Sequence, residues 1–174
     1  MDPEVSQEVF GGRIFSVHRE RWPGSEDEYD VVRHPGAAAV LPITPNGDVL
    51  FVRQFRPAIR QVLTEIPAGL LDVGGEDAVT CASRELFEET GYRHGSIEFL
   101  GGCFTSAGFT DEYVHLFVAN VHEGAETGPG EGIELLRTPF HEVVIAARGG
   151  RIRDVKTALA LLLTDAREGV GPVG

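Results

Sequence analysis

A mixed β-sheet held between helices, an α/β/α arrangement preceded by a small antiparallel sheet, is the architecture this chain predicts. Three observations point there. Short apolar runs of strand length recur from Val9 to Leu136, a long amphipathic helical pattern interrupts them at 77–90, and two further helical patterns close the chain at 139–148 and 154–167. With 174 residues, 42% hydrophobic and 24% charged, the chain can bury one substantial core but not two ordinary ones.

Residues 5–34 alternate apolar and polar in short stretches (Val9, Phe10, Ile14, Phe15, Val17) and then reach the turn-rich patch WPGSEDEYD, which predicts a small antiparallel sheet with a long hairpin loop. Gly36–Leu41 is a continuous apolar run, hence a buried strand. Thr44–Asp48 is a hairpin turn, and Val49–Phe55 returns as the next strand. Leu63–Pro67 leads into a glycine-containing loop. A helix follows, with Asp77 as its N-cap and Gly91 just past its end. Phe99–Phe104, Tyr113–Val121 and Ile133–Leu136 read as three more strands. Pro139–Ala147 reads as a helix stopped by Gly149 and Gly150. In the last helix, Asp154–Arg167, Leu159, Leu161, Leu162 and Leu163 make much of the circumference apolar, so deep burial is expected. The chain divides into an N-terminal sheet at 1–35, a main domain at 36–168 and a flexible tail at 169–174.

A net charge of −12 argues against nucleic-acid or anionic-membrane partners, which need a basic surface. No run of 18 apolar residues predicts a membrane span, and MDPEVSQEVF lacks an apolar signal core. Cys81 and Cys103 read as small buried residues, consistent with a reducing cytoplasm.

The chemistry concentrates in Arg84-Glu85-Leu86-Phe87-Glu88-Glu89-Thr90-Gly91-Tyr92. At 100° per residue, Glu85 and Glu89 point within about 40° of each other, on the face shared by Ala78 and Ala82 and opposite Phe87. Like charges at that spacing cost a few tenths of a kcal/mol, Glu88 adds a third, and the helix C-terminus disfavours negative charge. Such a face is ordinarily solvated surface. Two carboxylates over small residues that lie against the protein instead form a cation site, whose divalent ion offsets those penalties.

This segment resembles the Nudix hydrolase signature, G-x5-E-x7-R-E-U-x-E-E-x-G-U with U a bulky aliphatic residue. Arg84, Glu85, Leu86, Glu88, Glu89 and Gly91 match, and Glu76 lies eight residues before Arg84. Two positions depart: six residues rather than five separate Gly69 from Glu76, and Tyr92 takes the final aliphatic place. Gln54–Pro57, Glu65–Gly69, Ser106–Glu112 and Arg151–Thr157 look like the ADP-ribose pyrophosphatase branch, with Ala107 where that branch usually carries proline.

The resemblance implies the Nudix fold and hydrolysis of the pyrophosphate bond of a nucleoside diphosphate sugar, first of all ADP-ribose, assisted by Mg²⁺ or Mn²⁺. Another sugar nucleotide such as GDP-mannose, an oxidised-nucleotide sanitiser and a catalytically silent sensing module are the alternatives. By resemblance, Glu85, Glu89 and the Ala68 carbonyl hold metal, Glu88 supports a second metal or a metal-bound water, and Arg84 with Glu76 ties the helix to its loop. Glu131, in the glycine-rich loop 123–132, matches the family's loop metal ligand and is a candidate base, with Glu126 or a metal-bound hydroxide as alternatives. Arg56, Glu65, Gly108 and Glu112 match substrate-holding positions. Phe15 or Trp22 is available to stack on the base. The branch further implies a homodimer with swapped N-terminal sheets.

Overall fold

In the computed structural model, which describes residues 1–122 and 124–169, ten strands and three helices follow in the order the sequence predicts. β1 (Val5–Gly11), β2 (Ser16–Arg21) and β3 (Glu28–Arg33) form a three-stranded antiparallel sheet in the order β1-β2-β3. The remaining strands are β4 (Ala37–Ile43), β5 (Asp48–Arg56), β6 (Gln61–Glu65), β7 (Ala68–Leu70), β8 (His94–Phe104), β9 (Tyr113–Val121) and β10 (Glu134–Pro139). They build one sheet along β10-β5-β4-β9-β8, to which β6 adds on β5 and β7 on β4. β4 and β9 run parallel and the other pairs antiparallel, so the sheet is mixed.

The continuous apolar run at 37–41 has a direct structural meaning. Ala38 and Val40 face α1 (Ala78–Thr90) in a core with Cys81, Ala82, Leu86, Tyr92 and Phe117. Ala37, Ala39 and Leu41 face the opposite layer, α2 (Phe140–Arg148) and α3 (Val155–Gly169), in a core with Val143, Ala147, Ala160 and Leu161. A strand buried on both faces has no polar alternation to show. The last helix is less buried than its leucines imply: Leu161 is fully enclosed and Leu159 and Leu163 partly, but Leu162 is 36% exposed, because α3 lies against one side of the sheet only. Cys81 is buried and Cys103 only half so, and both are free thiols.

Local signals hold at α1. Asp77 accepts from Thr80 N at 2.9 Å, capping the helix, and Gly91 takes the left-handed conformation at φ 75° while its N–H closes on Phe87 O at 2.8 Å. Tyr92, in the place of an aliphatic residue, is buried, and its hydroxyl accepts from Arg137 of β10. The segment between Leu63 and Gly69, read as a lead-in, contains strand pairing on both sides of Pro67: β6 on β5 and β7 on β4. α3 continues through Gly169, the first residue of the expected tail, and the rest of that tail, 170–174, lies outside the described residues. Among the described residues no helix is long and apolar enough to cross a membrane.

Candidate active site

β7 and α1 meet where the glutamates are. Gly69 sits under Glu85 so closely that a Cβ there would lie 1.9 Å from Glu85 Oε1; only glycine lets this carboxylate rest on the strand. Glu89 reaches further along the same seam, accepting from Gln54 Nε2 at 2.6 Å and from Ala68 N at 3.2 Å. The expected face therefore exists, and it lies against the sheet. Burial raises the Glu85 carboxyl above its ordinary value, more than Arg84 lowers it. Burial also raises Glu89, with Glu85 adding repulsion.

Arg84 is the nearest cation, and it is shared three ways. It grips Glu76 through Nε and Nη2 at 3.0 and 3.1 Å, meets Glu85 Oε1 at 2.5 Å and Glu88 Oε2 at 3.1 Å, and is held above its usual value chiefly by Glu76. The tie between helix and loop implied by the resemblance is thus present despite the extra residue, which is accommodated in the turn where Glu76 N donates to Val73 O at 3.1 Å. Glu88 is 56% exposed and contributes to the rim rather than the seam.

Ala68 and Gly69, the residues that Glu89 and Glu85 touch, line a cavity of about 660 Å³. Arg56, Glu65, Lys156, Asp154, Thr105, Glu112 and His34 complete its polar wall. Glu65 is 2% exposed, and its carboxylate is already occupied: Arg56 donates from Nε and Nη2 at 2.6 and 2.9 Å, and Lys156 donates to Oε2. Burial pushes Glu65 up, but Arg56 and Lys156 outweigh it and hold the carboxyl below its ordinary value. Lys156 also contacts Asp154 Oδ1 at 2.9 Å, while Asp154 Oδ2 caps α3 at Thr157, whose hydroxyl accepts from Ile66 N at 2.9 Å. Both carboxylate oxygens of Glu65 are thus engaged by cations of the chain, which Glu65 holds in place along the cleft.

The sequence-predicted residues divide at this point. Arg56, Glu65, Ala68, Glu85, Glu89 and Glu112 are brought to one cleft. Gly108, with Trp22, lines a separate cavity of about 480 Å³ beneath the N-terminal sheet. Phe15 packs on Phe10 at 6.1 Å and borders a third cavity, which shares Ile14 and Leu70 with the main cleft. Glu131 is exposed, and among the described residues no hydrogen bond or ion pair joins it to Glu85 or Glu89. Glu126 pairs with Arg93 at 2.9 Å, and Arg93 stacks on Phe87, on the side of α1 opposite the glutamate seam. Its loop is docked rather than free, with Glu126 N donating to Gly91 O at 2.8 Å and Thr127 O so near that a Cβ on Gly91 would lie 2.1 Å away.

Gln54, Lys156 and His34 were missed. Their signals are faint, because each matters only through partners brought by the sheet; Lys156 lies 91 residues from Glu65. Asp154 three residues before Thr157 is a capping pattern, and it places Lys156 in the first turn of α3.

The donor set fits a hard divalent cation. Glu85 and Glu89 are half-buried carboxylates whose oxygens suit such an ion, and one guanidinium answers three of the nearby carboxylates. The fit concerns this pair: among the described residues, no group of three histidine, cysteine, aspartate or glutamate side chains converges.

Comparison with known proteins agrees with this geometry. The family model described as NUDIX domain matches residues 32–159. The ADP-ribose pyrophosphatase of Bacillus subtilis (strain 168) is 33% identical over 171 residues, covering 94% of this chain and 92% of that protein. The methanol dehydrogenase activator of Bacillus methanolicus is 36% identical over 163 residues, covering 90% and 88%. The GDP-mannose pyrophosphatase of Escherichia coli (strain K12) is 30% identical over 176 residues, covering 90% and 91%. A crystal structure of an ADP compounds hydrolase superposes with a TM-score of 0.78 over 99% of this chain and 96% of that one, at 20% identity, a likeness of fold.

Proposed function

The chain belongs to the Nudix family and is a pyrophosphohydrolase, and from that premise we propose that it cleaves nucleoside diphosphate sugars, ADP-ribose foremost, to AMP and ribose 5-phosphate. One observation carries the reading: the half-buried carboxylates of Glu85 and Glu89 rest on Gly69 and Ala68 at the edge of a cavity whose wall also presents Arg56 and Lys156. A pyrophosphate diester carries negative charge that repels attacking water. A bound Mg²⁺, or Mn²⁺ in its place, would be held by Glu85, Glu89 and Ala68, and it supplies neutralisation of that charge and a lowered pKa for bound water.

The chain's own groups then position the substrate. Arg56, preorganised by its two bonds to Glu65, faces the diphosphate together with Lys156. Water adds its oxygen to one phosphorus, the bridging P–O bond breaks, and each product leaves as a monophosphate. Glu112 offers a carboxylate to sugar hydroxyls. The tie of Arg84 to Glu76 holds the seam's loop in place while charge changes next to it. From the family resemblance, Glu131 on its exposed loop is taken as a further metal ligand and candidate base, and Phe15 as a residue that stacks on the nucleotide base.

GDP-mannose is the second reading, favoured by the similarity to a GDP-mannose pyrophosphatase and by Ala107 in the branch's proline position. A homodimer through the N-terminal sheet is also proposed. β1 is exposed along its whole length with Val5, Val9 and Phe10 outward, a surface suited to a second copy and measurable by analytical ultracentrifugation. A cytoplasmic location accords with the free thiols. The deciding assay incubates the protein with ADP-ribose, GDP-mannose and an oxidised nucleoside triphosphate in Mg²⁺ and resolves the products by chromatography. AMP and ribose 5-phosphate in equal amounts are expected; turnover of the triphosphate alone would overturn the substrate class.

A further inference from the structure

We propose that His34 is a specificity-determining residue: its Nε2–H and the Glu112 carboxylate form a paired site for one hydroxyl of the sugar that the nucleotide carries. The inference rests on the nucleotide-sugar reading above and deepens it.

His34 stands in the short crossing from β3 to β4, with its side chain 9% exposed. The imidazole is fixed on both sides. Gly36 N donates to Nδ1 at 3.1 Å, so Nδ1 is an acceptor and the proton sits on Nε2. The residue's own N–H donates to Asp111 Oδ1 at 2.8 Å, and Arg33 Nη1 holds Asp111 Oδ2 at 3.1 Å. Glu112 is fixed as firmly: Oε2 accepts from Thr105 Oγ1 at 2.6 Å, and its N–H donates to Thr110 Oγ1 at 3.1 Å. What remains is a donor, Nε2–H, and an acceptor, Glu112 Oε1, both on the wall of the cleft that holds Arg56 and Lys156.

These two atoms are 3.8 Å apart, too far for a hydrogen bond with each other and close enough to share a third atom. The pair selects by chemistry. A phosphate oxygen is repelled by Glu112, and an ammonium group finds no acceptor on Nε2. A hydroxyl satisfies both, accepting from His34 and donating to Glu112. A carboxylate alone takes any donor; the imidazole adds the demand for an acceptor on the same atom.

The test is calorimetric titration, without added metal, of the wild type, His34→Phe and His34→Gln with ADP-ribose and with ADP, which lacks the distal sugar. His34→Phe should weaken ADP-ribose binding about tenfold and leave ADP within about twofold, the size of one hydrogen bond to a charged-pair site. His34→Gln, which keeps an N–H donor at similar reach, should recover most of the loss. Equal losses for both ligands, or none for ADP-ribose, would overturn the assignment. Where His34→Phe does not fold by circular dichroism, the wild type decides: ADP-ribose must bind more tightly than at least one of its singly deoxygenated distal-ribose forms, and equal affinity for all of them refutes the site. Release of AMP is read separately. Sugar-selective binding without turnover would leave this inference standing and remove the catalytic one.

Discussion

Glu65 is buried and the pair Glu85/Glu89 half-buried at one cleft, and the chain treats them in opposite ways. Glu65 is surrounded by Arg56 and Lys156, and its carboxyl is held below the ordinary value of 4.5. Glu85 shares the overcommitted Arg84 with Glu76 and Glu88, Glu89 is met only by an amide and a backbone N–H, and burial holds both above 4.5. The first cluster is electrostatically complete within the chain. The second is not: one guanidinium is spread over Glu76, Glu85 and Glu88, no ion pair reaches Glu89 among the described residues, and such an excess of desolvated negative charge marks a site that takes a cation from outside.

The comparison can be broken at either end. Glu65→Gln leaves two cations without their partner and should destabilise the fold on the order of 3 kcal/mol, the low end for a broken buried pair because Arg56 can reach solvent; urea unfolding measures it. Glu89→Gln should leave the fold intact while lowering kcat at least about 10²-fold in Mg²⁺, the scale of a lost electrostatic contact to the reacting group. An unaffected rate would remove Glu89 from the site. Asp77→Ala removes only the α1 cap and should cost about 1 kcal/mol without altering the response to metal. The smallest effect is in pH. A raised carboxyl contributes stability that is fully present below its unfolded value and lost as pH rises through the folded one; Glu65, being lowered, contributes stability present above its unfolded value and lost as pH falls through the folded one. Melting curves of the metal-free Glu85→Gln/Glu89→Gln protein should therefore gain on the wild type as pH rises above the ordinary 4.5, whereas Glu65→Gln should lose ground as pH rises toward 4.5.

Local chemistry was the legible part of both regions. Asp77, Gly91 and the limits of β9 at Tyr113–Val121 could be read from neighbouring residues, as could the face shared by Glu85 and Glu89. The metal-facing half of the site follows from helical spacing plus a recognisable signature. The other half comes from strand pairing. Gln54 meets Glu89 only because β5 and β7 flank β4, and Lys156 meets Glu65 only because the start of α3 returns to β6. β6 and β7 themselves were hidden by Pro67, which interrupts the pattern without ending the sheet. Phe15, Gly108 and Glu131 were legible only through family resemblance; Phe15 and Gly108 line neighbouring cavities, and Glu131 stands on an exposed loop.

The most direct test is the shift in melting temperature on adding Mg²⁺ at pH 7.5, where both glutamates are called upon as anions, for the wild type and for Glu89→Gln. The account predicts a clear rise for the wild type that grows with Mg²⁺ concentration and is absent or much reduced in the variant. Equal rises in the two proteins, or none in the wild type, would show that the half-buried pair does not take its counter-charge from a metal.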